Sequence, residues 1–130
     1  PAHFVTLRAQ VPAVLDPPDD ARGGLGDQGG LGVTVRLFAS YNGPDEAKDL
    51  RMSVRCSEPF FLAAPVPEVA VVKGGQRTPT MLPLLFRARS DAMPRETEVV
   101  IVATYTAAGG EPRTAQCAFE LPMRLPPPPP

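Results

Sequence analysis

The dominant pattern along the chain is a period of two. In residues 31–40, Leu31, Val33, Val35, Leu37 and Ala39 alternate with Gly32, Thr34, Arg36, Phe38 and Ser40. An extended backbone points successive side chains to opposite faces, so this alternation predicts a half-buried strand. Residues 3–11 repeat it, with Val5, Leu7, Ala9 and Val11 on one face and Phe4, Thr6, Arg8 and Gln10 on the other. Residues 49–57 place Leu50, Met52, Val54 and Cys56 inward; residues 80–89 do the same with Leu82, Leu84, Phe86 and Ala88. Residues 113–121 follow with Ala115, Cys117, Phe119 and Leu121.

Two stretches depart from simple alternation. Residues 60–72 are apolar but broken by Pro65 and Pro67, which predicts a short edge piece and then a strand near 68–72. Residues 96–106 are apolar on both faces, with Val99, Ile101, Ala103 and Tyr105 against Val100 and Val102. Such a strand is central or is covered by a partner. Pro83 predicts that the start of the 80–89 strand lies at an edge. Between the strands, residues 41–45, 73–76 and 108–112 carry the Asn, Gly and Pro chemistry of turns.

The expectation is an all-β chain: an immunoglobulin-like β-sandwich of about seven to eight antiparallel strands in one domain, residues 1–125. Two sheets, each burying one face, explain the one-sided alternation. The tryptophan that marks antibody-type domains is absent. Residues 16–30, rich in Gly, Asp and Pro, read as a flexible loop, and residues 126–130 are all proline, a stiff linker or tail. The chain opens at Pro1 without a methionine, so a piece of a longer protein is expected.

Composition agrees. Of 130 residues, 18 are Pro and 11 are Gly, a density of breakers that long helices do not survive. Hydrophobic residues make up 43% and charged residues 21%, a globular balance. Lys plus Arg number 13 and Asp plus Glu 14, so no basic excess points to nucleic acid. No apolar run approaches the ~20 residues of a membrane helix.

The chemistry of catalysis is thin. Residues 24–29 spell G-x-G-x-x-G, but an acidic, proline-rich stretch precedes them and a strand follows, the wrong setting for a dinucleotide. Lys73-Gly74-Gly75 lacks phosphate-loop spacing. His3 is the one histidine, which leaves no base for a triad. One histidine and two distant cysteines make no zinc site, and Asp16, Asp19, Asp20 and Asp27 lack the spacing of a calcium loop. No catalytic residue, metal or cofactor is expected. Cys56 and Cys117 both fall at inward positions. They are free thiols in a reducing compartment, or an intersheet disulfide in a secreted sandwich. The second case defines the alternative reading: an extracellular adhesion or carbohydrate-binding domain with a Cys56–Cys117 bridge.

Two segments carry a resemblance. Residues 31–37 (LGVTVRL) and residues 113–125, in particular Arg113, Thr114, Gln116, Cys117, Phe119, Leu121, Pro122 and Leu125, resemble the second and last strands of the ear-like domain of the Bardet–Biedl syndrome protein nine family, a family of BBSome subunits. The resemblance implies a γ-adaptin-ear β-sandwich without catalysis. It implies a module of a coat complex that carries membrane proteins to and from cilia. Other BBSome subunits are the implied partners, possible ear–ear pairing (homo- or heterodimer) included, with membrane contact only through the complex. The implied localisation is cytoplasm, cilium and basal body. From the residues themselves, the outward apolar positions Phe38, Val100 and Val102, with Arg36, form the candidate interaction surface.

Overall fold

The computed structural model describes residues 3–16, 31–57, 60–66, 68–75, 78–88 and 98–122. Eight strands follow in order: β1 (Val5–Gln10), β2 (Gly32–Tyr41), β3 (Glu46–Cys56), β4 (Phe60–Leu62), β5 (Val69–Lys73), β6 (Thr80–Ala88), β7 (Glu98–Thr106) and β8 (Pro112–Glu120). They form two four-stranded sheets, β1-β2-β6-β4 (sheet A) and β5-β3-β7-β8 (sheet B), with every strand pair antiparallel. The expected all-β sandwich is the observed architecture. The glycine-rich G-x-G-x-x-G segment, the three other loop aspartates (Asp19, Asp20 and Asp27) and the proline tail lie outside the described residues.

The inward rows of the two sheets make one core. Val33, Val35, Leu37, Leu84 and Phe86 from sheet A meet Val72, Val99, Ile101 and Ala103 from sheet B, all essentially buried. The ring of Phe86 meets that of Phe119 edge to face at 6.4 Å between centroids. Aromatic pairs favour this geometry because the positive ring edge faces the negative ring face.

β4 and β5, the two pieces that the prolines bracket, are edge strands. Pro83 sits in β6 between two neighbours, yet its position obeys the same logic. β4 pairs only with Phe86, Arg87 and Ala88. The Leu85 carbonyl accepts the Ala63 amide on that side at 2.8 Å, and Pro83, two residues earlier, points the same way, past the end of β4. The missing N–H therefore costs no ladder bond.

Three details depart from the alternation. β3 begins at Glu46, three residues before the expected start, because a bulge between Lys48 and Arg51 breaks the period. Ala47 and Leu50 both point inward across it, and Asp49 takes φ 55°. Tyr41, read as a turn residue, ends β2 with 4% exposure. Leu15 lies in an aperiodic stretch and is 1% exposed, as deep as any core strand residue. It is held there by the Asp16–Gly32 bridge, where the Asp16 amide donates to the Gly32 carbonyl at 2.6 Å.

The sandwich is clasped where edge strand β1 meets edge strand β8. The Tyr105 hydroxyl, from the inner face of sheet B, accepts the buried Val5 amide at 3.0 Å. Arg113 of β8 donates to the His3 carbonyl at 2.9 Å and is itself held by Glu111 at 3.0 Å. The Phe4 amide donates to Asn42 Oδ1 at 2.6 Å. At the other turn cluster Gly74 packs so closely on Gly43 that a Cβ would lie 1.7 Å from the Gly43 carbonyl oxygen. Gly109 and Gly110 turn the chain into β8 with φ 85° and 79°, which few other residues adopt.

Candidate functional site

The four surface candidates divide between two walls. Phe38 and Arg36 stand on the outer face of sheet A, on β2. Val100 and Val102 stand on the outer face of sheet B, on β7, with the core between them and Phe38. They do not form one patch. The alternation reports which residues face outward but not which sheet each strand joins, and the sheet assignment separates them.

The two walls differ in chemistry. On sheet B, Val100 is flanked in register by Arg55 and Ala118, and Val102 by Ser53 and Gln116. Both valines are half-buried, covered by their neighbours. The aliphatic stems of arginine and glutamine lie readily over such apolar positions while their heads reach water. Charge on this wall is mixed: Lys48, Arg51 and Arg55 stand among Asp49, Glu98 and Glu120. The apolar character of both faces of β7, which predicted a central or covered strand, comes from its central place between β3 and β8.

Sheet A is different. Its outer face carries both of the exposed large hydrophobic residues, Phe4 at 49% and Met81 at 46%. In register, Arg8, Phe38 and Met81 form one row, and Gln10, Arg36 and Pro83 the next. Thr34 stands beside Leu85, and Arg87 beside Phe61 of β4. The Arg8 guanidinium lies 5.5 Å from the centre of the Phe38 ring, a cation–π contact. A cleft of about 390 Å³ adjoins Arg36 and is lined by Gln10, Val11, Pro12, Thr34 and Asp16. Phe38 and Arg36 were readable as outward positions; Met81, Pro83, Leu85 and Phe61 were not singled out. Their signal was present: Leu85 and Met81 are apolar at outward positions of a strand whose inward row was already complete.

The thiols take no part in this surface. Cys56 and Cys117 belong to the same sheet, with β7 between their strands. Cys56 is opposite Val99 and Cys117 opposite Ile101, so they are also one row out of step. Two strand spacings come to roughly 9–10 Å, beyond the roughly 7 Å that a disulfide spans. Both are free, and the Cys56–Cys117 bridge of the extracellular alternative is therefore overturned. Burial pushes each thiol pKa up, and backbone hydrogen bonds, at Leu62 and Ala9 respectively, offset part of that. The Cys56 thiol also lies 3.3 Å from the Phe60 carbonyl.

The ionisable groups do not converge. His3 packs its ring edge on Tyr41, with centroids 6.4 Å apart, at the clasp. Among the described residues no three of His, Cys, Asp and Glu gather as metal ligands. The largest depression, about 670 Å³, opens beside the Gly43–Gly74 turns and mixes Asp45 and Glu46 with Lys48 and Lys73. Among the described residues no helix is long and apolar enough to cross a membrane.

Comparison with known proteins returns one family. Residues 32–119 match the family described as PTHB1 GAE domain, a span that takes in all of β2 to β7 and all but the last residue of β8. No curated protein matches the chain significantly. The matched span covers most of the chain and the sandwich has the ear architecture, so the chain belongs to the PTHB1 GAE domain family.

Proposed function

We propose that this domain is a non-catalytic protein-interaction module of the BBSome coat, which moves membrane proteins to and from cilia. The observation that carries the reading is the family match over residues 32–119, since PTHB1 is the Bardet–Biedl syndrome protein nine. The geometry supports it. A two-layer sandwich with a dry core and scattered ionisable groups has no site for chemistry, while one outer wall exposes large apolar side chains. Its partners on this reading are other BBSome subunits, ear–ear pairing included, and its place is the cytoplasm and the base and shaft of the cilium, peripheral to the membrane.

The test is affinity capture from ciliated cells with this chain as bait. Recovery of BBSome subunits, lost when Met81 and Phe38 are changed to Asp, supports the reading. Capture of no BBSome subunit by a folded bait contradicts it.

A further inference from the structure

The outer wall of sheet A is organised as a track. Met81, Pro83 and Leu85 succeed one another along β6, with Phe38 beside the first and Phe61 near the end. Residues two apart on a strand are about 6.8 Å apart, the repeat at which any other extended chain presents its own alternate side chains. Arg8 and Arg36 line the β1–β2 flank, and Arg87 stands within the track. Against these three guanidinium groups the described residues set one carboxylate on this wall, Asp16, at the rim of the cleft beside Arg36. The whole chain has a net charge of -1, so this wall concentrates positive charge that the rest of the molecule outweighs. The outer wall of sheet B shows no such bias.

We infer that the sheet A wall docks an extended segment of a partner protein in which carboxylates accompany apolar side chains, the apolar ones on Met81, Pro83 and Leu85 and the carboxylates toward Arg8 and Arg36. Charge complementarity selects this occupant. A second copy of the chain would bring the same arginines face to face, and a basic or neutral segment would leave them unanswered. Extended-segment recognition by a sheet uses this division, with apolar contacts for alternate side chains and charge for orientation. β4 stops at Phe86, so the backbone of β6 before it has no strand on that side among the described residues, which leaves room for the segment along the track.

The inference rests on the proposed function and adds the chemistry of the partner. The test places the photo-crosslinker p-benzoylphenylalanine at position 81, or at position 100 as the reporter of the other wall, in the full-length protein assembled in ciliated cells. The crosslinked peptides are then sequenced by mass spectrometry. The expected result is a crosslink from position 81 to a segment with Asp or Glu within a few residues of the attachment point. In the R8E/R36E variant that yield falls at least fivefold, while R8K/R36K keeps most of it. Both arginines are exposed, so folding should survive, and R8Q/R36Q serves if the reversed charges do not. A crosslink from position 81 to a second copy, to a segment lacking carboxylates, or to nothing overturns the inference, as does a yield indifferent to R8E/R36E. Co-purification of BBSome subunits, scored in the same cells, separates the two claims. Subunits recovered without the position 81 crosslink refute the docking wall alone; the crosslink to an acidic segment without BBSome subunits refutes the proposed complex alone.

Discussion

Replacing Tyr105 by Phe tests how the sandwich is closed. Tyr105 is 3% exposed, and its hydroxyl accepts the Val5 amide at 3.0 Å, across the gap between the sheets. The substitution keeps the ring and its packing and removes one oxygen. Val5 is itself 4% exposed, so its N–H is then left in the interior without that acceptor. An unmet buried donor costs about 1–3 kcal/mol, against about 1 kcal/mol for the net value of an ordinary hydrogen bond. That is a loss of roughly 5- to 150-fold in the folded-to-unfolded ratio. Urea unfolding followed by circular dichroism should show a lower midpoint at an unchanged slope, since the surface exposed on unfolding is the same. Hydrogen exchange should show the Val5 amide losing protection while amides of β2 and β7 lose it only to the extent of global destabilisation. Asn42→Ala removes the acceptor of the neighbouring Phe4 amide, at 2.6 Å, and the two changes should be less than additive because each loosens the same end of β1. A Tyr105→Phe protein within ~0.5 kcal/mol of the parent, with Val5 protection intact, would refute the clasp.

Other outcomes follow from the same structure. Gly74→Ala forces its Cβ onto the Gly43 carbonyl, 1.7 Å away, so the two turns must separate; the thermal midpoint should fall by the equivalent of about 1–3 kcal/mol. Phe86→Ala empties a fully buried site against Phe119 and should cost about 3–5 kcal/mol in denaturant, several times the effect of Met81→Ala on the exposed wall. Both thiols have native pKa values raised by burial above the ordinary value of 9.0. Their contribution to stability is complete below that value and is lost as pH rises through the raised native values. The parent should therefore lose more stability on passing to alkaline pH than C56A/C117A does, and a parallel decline of the two in urea titrations would contradict it. Chain unfolded in urea without prior reduction should titrate two thiols with a disulfide reagent.

What the sequence made readable follows from the physics of alternation. The inward rows of β2, β6 and β8 are regular because each strand has one face on the core, and their residues appear in the structure where period two places them. The edge character of β4 and β5 was legible because proline cannot donate to a ladder, and the open flank of β6 at Pro83 for the same reason. The bulge hid the start of β3, since one extra residue puts Ala47 and Leu50 on the same side at a spacing of three. Leu15 was hidden because a single apolar residue between prolines has no period to announce it. The docking wall was half legible. Outwardness is a local property and marked Phe38, Arg36, Val100 and Val102. Strand order is not local, and only the pairing of β2 with β6 brings Met81, Pro83 and Leu85 beside Phe38 and carries Val100 to the other side of the core. The arginine bias of sheet A emerges only with that pairing, because Arg8, Arg36 and Arg87 come from three strands.

Methionine footprinting measures the central claim, that the outer wall of sheet A is covered by another protein. Met81 is 46% exposed and open to peroxide, while Met52, half-buried on the inner side of β3, is an internal reference on the other sheet. Oxidation rates are read by mass spectrometry on the chain alone and on the complex captured from ciliated cells. Met81 should oxidise several-fold more slowly in the complex, with Met52 unchanged. Equal rates at Met81 in the two states would mean that the wall faces water in the assembly, and the account would be wrong.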